Sequence, residues 1–124
     1  MTKNESAENY LETILVLSKK RPVVRSVDIA NELGFKKSSV SIAMKHLREN
    51  NHITVTEDGF IYLTDSGREI AEMIYTRHEF LCSFLEKIGV AKEIAEEDAC
   101  KIEHVISAES FEALQKYLKE QHCL

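Results

Sequence analysis

Residues 26–63 read SVDIANELGFKKSSVSIAMKHLRENNHITVTEDGFIYL, and the spacing of their apolar residues sets the architecture of the chain. A short helix is predicted from a Ser26 cap to a stop at Gly34, where a helix commonly ends. After a brief link, Ser38 caps the next helix. Its buried stripe, at the i, i+3, i+4, i+7 interval, is Val40, Ala43, Met44 and Leu47. Two short helices joined by about four residues predict a helix-turn-helix.

A β-hairpin is predicted directly after the second of these helices. Ile53-Thr54-Val55 alternates apolar and polar residues, and Phe60-Ile61-Tyr62-Leu63 returns as a second strand. Between them Glu57-Asp58-Gly59 supplies a turn, with glycine where a positive φ is wanted. A hairpin in this place is the wing of a winged helix.

Further helices flank this unit. Ser6 is predicted to cap a first helix whose apolar pattern fades at Lys19. A long helix is predicted from a cap at Thr64 or Asp65 to about Lys87.

The remaining chain adds a helical lobe. Gly89 ends the long helix, and two more helices are predicted over about 92–106 and 108–121. The expected fold class is mainly α with a small β-hairpin wing. We expect two domains, a winged helix-turn-helix over 1–64 and a helical lobe over 65–124.

The charge is divided between the two halves. The net charge is −5, but residues 1–64 hold nine Lys/Arg against eight Asp/Glu, a net charge of +1, and residues 65–124 carry −6. Between Lys19 and Arg48 lie eight basic residues against two acidic ones. A polyanion would meet that local basic stretch rather than the average.

Composition excludes several classes of protein. No apolar run is long enough for a membrane span, and the start does not resemble a signal peptide. The three cysteines are odd in number and widely spaced, which argues against a disulfide framework. A cytoplasmic protein without a membrane partner is expected.

The outward face of the second helix of the helix-turn-helix is suited to DNA. Lysines and hydroxyls contact phosphates, serines can reach base edges, and an isoleucine can meet a thymine methyl group. An ordinary solvated face is the alternative, but the short link, the wing and the basic excess together favour double-stranded DNA. The residues on this face are Lys37, Ser38, Ser41, Ile42, Lys45 and, at its edge, His46.

A second group carries metal-ligand chemistry. Cys100, Glu103 and His104 stack on one face of a predicted helix, and His78 has the phase of the buried residues of the long helix. A buried histidine is more often a core residue, and a lone cysteine more often a small hydrophobe. Spacing alone therefore leaves both a metal site and a structural polar network open.

The chain resembles the diphtheria-toxin-repressor family of metal-dependent regulators, whose members are dimeric repressors that bind operator DNA when Mn(II) or Fe(II) is loaded. In length it is similar to the shorter manganese-transport-regulator branch, so we expect the form without the SH3-like C-terminal domain. The resemblance is carried by the segments AENYLE (7–12), RSVDIA (25–30), SVS (39–41), LTDSG (63–67), RH (77–78) and EDACKIEHVIS (97–107).

The resemblance implies a ligand set of Glu12, His78, Cys100, Glu103 and His104. Asn9 stands where the family places a first-helix donor, commonly Asp or Met, and an amide brings no charge. Cys100 stands where the iron branch has cysteine and the manganese branch a carboxylate, so sulfur leans the preference toward Fe(II). The expected cofactor is Fe(II) or Mn(II), with Co(II), Zn(II) or Ni(II) plausible in vitro.

Other positions depart from the family pattern. Glu96 and Cys82 take the places of an accessory-site histidine and carboxylate, which puts a second metal site of that kind in doubt. Ile42 replaces a polar base-reading residue of some relatives. The full predicted DNA-binding set is Arg25, Ser26, Lys36, Lys37, Ser38, Ser39, Ser41, Ile42 and Lys45.

The expected function is a metal-dependent transcriptional repressor of metal-uptake genes, acting as a homodimer on operator DNA. A cation shared by Glu12, Asn9 and the helical lobe would fix the spacing of two recognition helices. One rival is a winged-helix regulator that does not sense metal. A second is an enzyme with Cys100 as nucleophile and His104 or Glu103 as base, but no substrate cleft is indicated and no small-molecule substrate is expected.

Overall fold

The structure, a computed structural model, describes residues 3–121. Within that range the chain is mainly helical with one two-stranded hairpin, as the sequence predicts. In chain order the elements are α1 (Lys3–Lys20), α2 (Ser26–Leu33), α3 (Lys37–Glu49), β1 (Ile53–Val55), β2 (Ile61–Leu63), α4 (Asp65–Lys87), α5 (Lys92–Val105) and α6 (Ala108–Glu120). None of the described helices is both long and apolar enough to cross a bilayer.

The chain forms two compact units, one ending at Met73 and the other beginning at Ile74, so α4 contributes to both. In the first, N-terminal unit, α1, α2 and α3 pack around a largely apolar core. The fully buried side chains of this core include Leu11, Ile14, Leu15, Ile29, Val40 and Ile53. The second, C-terminal unit holds the rest of α4 together with α5 and α6.

The turn between α2 and α3 forms as predicted at Gly34. Its φ is 69°, in the left-handed region where a side chain is unfavourable, and the N–H groups of Gly34 and Phe35 both donate to the carbonyl of Ala30. Val40, Met44 and Leu47 are buried on the inner face of α3, and Ala43 is half-buried. The helix-turn-helix prediction is confirmed.

The wing is a short antiparallel pair. Ile53 pairs with Leu63, Thr54 with Tyr62 and Val55 with Ile61, and Gly59 in the connecting turn has a φ of 84°. Ile53 and Ile61 are buried while Tyr62, one residue along, is exposed, as the two-residue period of a strand requires. The predicted hairpin is therefore confirmed, with its second strand beginning at Ile61.

The start of α4 is hydrogen-bonded to the segment that follows α3. The hydroxyl of Thr64 accepts the N–H of Gly67, which confirms a cap at this position, and the N–H of Thr64 donates to the carbonyl of His52. A Cβ at Gly67 would collide with that same carbonyl oxygen. Glycine is needed here because the two backbone segments touch.

Three predicted helix caps are wrong. Ser6 lies inside α1, because Asn4 and Glu5 already continue the helix and Glu5 is favourable in its first turn. The cap of α2 is Arg25, whose N–H donates to the Asp28 carboxylate at 2.9 Å, so Ser26 is the first helical residue.

The third cap shifts in the same direction. Lys36 has extended backbone angles and α3 begins at Lys37, so Ser38 lies within the first turn instead of capping it. No side chain accepts a hydrogen bond as cap of this helix. The basic face of α3 therefore begins one residue before the predicted cap.

The C-terminal unit packs around Leu81, Ala99 and Phe111. The rings of Phe80 and Phe111 meet edge to face with centroids 5.3 Å apart. On α5, α6 and the link between them, Ile94 and Val105 are exposed, whereas five other apolar residues pack within the unit. The five that pack in the unit are Ile102, Ile106, Phe111, Leu114 and Leu118.

Candidate metal centre and DNA-binding face

Glu103 is the centre of a cluster of donor groups in the C-terminal unit. Its side chain is 0% exposed, although it is a carboxylate. Its Oε2 lies 3.0 Å from Nδ1 of His78 on α4, and its Oε1 lies 3.4 Å from Nε2 of His104, one residue along α5. Two histidines therefore converge on one buried acidic group.

Cys100 completes the cluster from one turn earlier on α5. A sulfur of Cys100, a carboxylate oxygen of Glu103 and a ring nitrogen of His104 all lie within 4.8 Å of one another. The i, i+3, i+4 spacing on a helix produces this convergence. Sulfur, carboxylate and imidazole suit a divalent transition metal, which takes mixed S, O and N ligands.

The hydrogen bonding of Glu103 tests whether a cation fits. Oε1 is buried and accepts no hydrogen bond from any residue of the described range 3–121. A buried carboxylate oxygen without a donor is costly, and it is stabilised by a positive charge placed against it. The residues present therefore fit a divalent cation.

Cys82 lies against Nε2 of His78, the ring nitrogen that does not face Glu103. Its Sγ is 3.4 Å from Nε2 of His78 and 4.0 Å from the carbonyl oxygen of Ala95. Burial raises the pKa of the Cys82 thiol, and the nearby carboxylates, Glu96 first among them, raise it further. Cys82 is therefore held as a neutral thiol, which orients His78 through Nε2 while Nδ1 faces Glu103.

Arg77 positions the C-terminal end of α5. Its side chain is buried, and Nη1 donates to the carbonyl oxygens of Glu103 at 3.1 Å and Ile106 at 3.0 Å. Its guanidinium also lies over the ring of Phe111, 5.5 Å from the centroid. The sequence marks Arg77 only as a neighbour of His78, because its charge alone suggests an exposed residue.

The remaining predicted ligands lie on α1 of the N-terminal unit. Asn9 and Glu12 are three residues apart on this helix, and both are half-buried. The backbone carbonyl of Asn9 accepts the hydroxyl of Thr13 at 2.8 Å. The assignment of these two residues as ligands comes from the resemblance.

The predicted DNA-binding residues are at the surface of the N-terminal unit. Those on α3 and the link before it are exposed, and Ser26 is half-exposed. The guanidinium of Arg25 stacks on the wing residue Phe60, 4.7 Å from the ring centroid, and so ties the start of α2 to the wing. On the wing, Tyr62 is 47% exposed, as strand alternation predicts.

A winged helix followed by a helical unit that brings a buried carboxylate together with two histidines and a thiol is the arrangement expected of one class of protein, the DNA-binding regulator that responds to a metal ion. Comparison with known proteins is specific on this point. Residues 3–59 match the iron-dependent repressor N-terminal DNA-binding domain, and residues 64–123 match the iron-dependent repressor metal-binding and dimerisation domain. The chain belongs to the iron-dependent repressor family, whose members are metal-dependent transcriptional repressors of the Mn/Fe type and not enzymes.

Individual relatives agree with this assignment. The chain is 32% identical to an uncharacterised HTH-type transcriptional regulator of Methanocaldococcus jannaschii over 94% of this chain and 95% of that one. It is 34% identical to the HTH-type transcriptional regulator MntR of Geobacillus kaustophilus, over 82% of this chain and 72% of the relative.

Solved structures show the same fold. A manganese-dependent transcriptional repressor in complex with manganese is 26% identical and superposes with a TM-score of 0.83. The superposition covers 91% of this chain but 52% of that one, so this chain spans about half the length of that repressor. The family assignment also disfavours the enzyme and the metal-independent regulator as interpretations.

Proposed function

We propose that this protein is a cytoplasmic repressor that binds operator DNA as a homodimer when loaded with Fe(II) or Mn(II), and that it controls metal-uptake genes. The observation that carries the proposal is Glu103, a fully buried carboxylate beside two histidines with one oxygen left without a hydrogen-bond donor. A bound divalent cation would supply the missing positive charge.

The proposed ligands in the C-terminal unit are His78, Cys100, Glu103 and His104. The resemblance adds Glu12 and Asn9 of α1 to this set. The resemblance implies that loading this ligand set with metal is what permits operator binding.

Cys100 supports a preference for Fe(II) over Mn(II). Thiolate is a softer ligand than carboxylate and favours metals later in the first transition row, whereas Mn(II) prefers oxygen. Asn9 contributes no charge, which weakens attraction for any hard cation. The same ligand set would accept Co(II), Zn(II) or Ni(II) in vitro, since these ions generally bind a given set of N, O and S ligands more tightly than Mn(II) or Fe(II) does.

A second copy of the chain is the proposed partner besides DNA. The family match includes a dimerisation domain, and the C-terminal unit exposes large apolar side chains. Ile94 is 53% exposed, Tyr117 60% and Val105 68%. A dimer would place two recognition helices on half-sites spaced by about one DNA turn or a multiple of it.

The direct test is an anaerobic titration with Mn(II), Fe(II), Co(II) and Zn(II). Binding to the promoter regions of metal transporters from the source genome is measured by fluorescence anisotropy, with and without EDTA. We expect binding only with metal, and Cys100→Ser should weaken metal affinity and DNA affinity together. The same DNA affinity in EDTA as in metal would show that the protein does not sense metal.

A further inference from the structure

Ile42 occupies the outermost position of α3. Each residue of an α-helix advances by about 100°, which places Ile42 about 200° from Val40, the centre of the buried stripe. The structure agrees, because Val40 is 0% exposed and Ile42 is 59% exposed. Among the described residues of the N-terminal unit, Ile42 is the most exposed of the large apolar side chains.

The neighbours of Ile42 on this face are polar or basic. Ser38 lies one turn before it and Lys45 one turn after it, and both are exposed. Lys36 and Lys37 precede them at the start of the helix, also exposed. The first two turns of this face carry neither an acidic side chain nor a second apolar residue. The face is therefore suited to a polyanion that offers one apolar group to Ile42.

Double-stranded DNA offers one apolar group in the major groove, the C5-methyl of thymine. The first turns of a recognition helix are the part that contacts base edges, and Ile42 is the sixth residue of α3. An isoleucine has no hydrogen-bond donor or acceptor, so it cannot distinguish guanine, adenine or cytosine by their polar edges. It can distinguish thymine by burying the methyl group.

We propose that Ile42 is a specificity-determining residue that selects a thymine in each operator half-site through its C5-methyl group. The inference rests on the proposed function, because it requires that α3 enters the major groove. Lys36, Lys37 and Lys45 contact phosphates and position the helix, and they carry no sequence information themselves.

The experiment removes the methyl group from the DNA and the side chain from the protein. A tight-binding duplex is first selected from a random library with the Mn(II)-loaded protein. Each thymine of that duplex is then replaced, one at a time, by deoxyuridine, which keeps Watson–Crick pairing and lacks only the methyl. Dissociation constants are measured for the wild type, Ile42→Ala and, as a matched control, Ile88→Ala, an isoleucine that is 62% exposed in the C-terminal unit.

For the wild type, deoxyuridine at one thymine per half-site should weaken binding about fourfold, the effect of losing one buried methyl group. Ile42→Ala removes the contact in both subunits of the proposed dimer, so it should bind the thymine duplex about sixteenfold more weakly, the product of two fourfold losses, and show no further loss with deoxyuridine at that position. Ile88→Ala should keep the fourfold ratio between thymine and deoxyuridine, whatever its absolute affinity.

Two results overturn the proposal and are distinguishable. If the metal-loaded protein selects a duplex but no deoxyuridine changes wild-type affinity, or if Ile42→Ala keeps the full loss, the role of Ile42 is wrong while the proposed function stands. If no duplex is selected with any of the metals, the proposed function falls and the role of Ile42 with it.

Discussion

The two units of this chain treat charge in opposite ways. In the N-terminal unit the buried side chains are almost all apolar, and the lysines and arginines face solvent or the wing. In the C-terminal unit a carboxylate that is 0% exposed and an arginine that is 8% exposed lie inside. The N-terminal unit thus carries its basic side chains at the surface, whereas the C-terminal unit holds charged side chains in its interior.

This difference between the two units indicates where a proposed functional residue lowers the stability of the fold. A buried charge costs free energy unless other groups compensate it, and Glu103 has one oxygen without a donor among the described residues. In the N-terminal unit the position most sensitive to substitution is the close backbone contact at Gly67. Substitutions should therefore reduce stability in one unit and shift the balance between stability and metal binding in the other.

Gly67→Ala should have the largest effect. The added Cβ collides with the carbonyl oxygen of His52, and the N–H of Thr64 also bonds to that carbonyl. We expect the free energy of unfolding, measured by urea titration in EDTA, to fall by about 3 kcal/mol, the upper range for overpacking.

Gly59→Ala is the matched control for this prediction. Gly59, unlike Gly67, has a positive φ, 84°, and open space surrounds the position of its Cβ. Its cost should be only the strain of the left-handed backbone, about 1 kcal/mol. Equal losses for the two variants would mean that the contact between His52 and Gly67 relaxes easily.

Glu103→Gln should separate metal affinity from stability. Removing the central anionic ligand should weaken Mn(II) or Fe(II) binding about a hundredfold or more. The loss of a residue that only hydrogen-bonds to a metal ligand already has an effect of that order. In EDTA the free energy of unfolding of the same variant should be about 1 kcal/mol higher than that of the wild type, because a buried charge has been removed.

Isothermal titration with metal and urea unfolding in EDTA measure the two quantities. Glu97→Gln is the control, since Glu97 is exposed on the same helix. A Glu103→Gln protein that loses stability in EDTA and keeps its metal affinity would contradict a functional role for the buried charge.

Arg77→Lys should have the smallest of the three effects. The substitution keeps the charge but replaces the planar guanidinium, whose Nη1 donates to the carbonyls of Glu103 and Ile106 and which lies over the ring of Phe111, by a compact ammonium. We expect a loss of about 1.5 kcal/mol in the free energy of unfolding. Arg68→Lys, on the exposed part of the same helix, should change it by less than about 0.5 kcal/mol.

Most of the fold follows from local patterns in the sequence. The turn at Gly34, the hairpin around Gly59 and the start of α4 at Thr64 each rest on residues within a few positions of one another. The caps predicted at Ser6, Ser26 and Ser38 are wrong. Serine is a frequent cap, but at α2 the Asp28 carboxylate reaches back to the backbone of Arg25 and moves the boundary.

The candidate site was predictable in part. The convergence of Cys100, Glu103 and His104 follows from the helical repeat alone, and the inward phase of His78 follows from its position on α4. The bond between His78 and Glu103 joins residues 25 positions apart in the chain, and no local spacing encodes that distance.

The sequence alone thus determined which residues share a helix face, where the chain turns and which half is basic, because these depend on backbone geometry over a few residues. Only the tertiary structure decided that Glu103 is wholly buried, that Cys82 stands behind His78 and that Arg77 holds the end of α5. Burial and contacts between helices depend on how distant segments pack, and packing is a property of the whole unit rather than of any stretch within it.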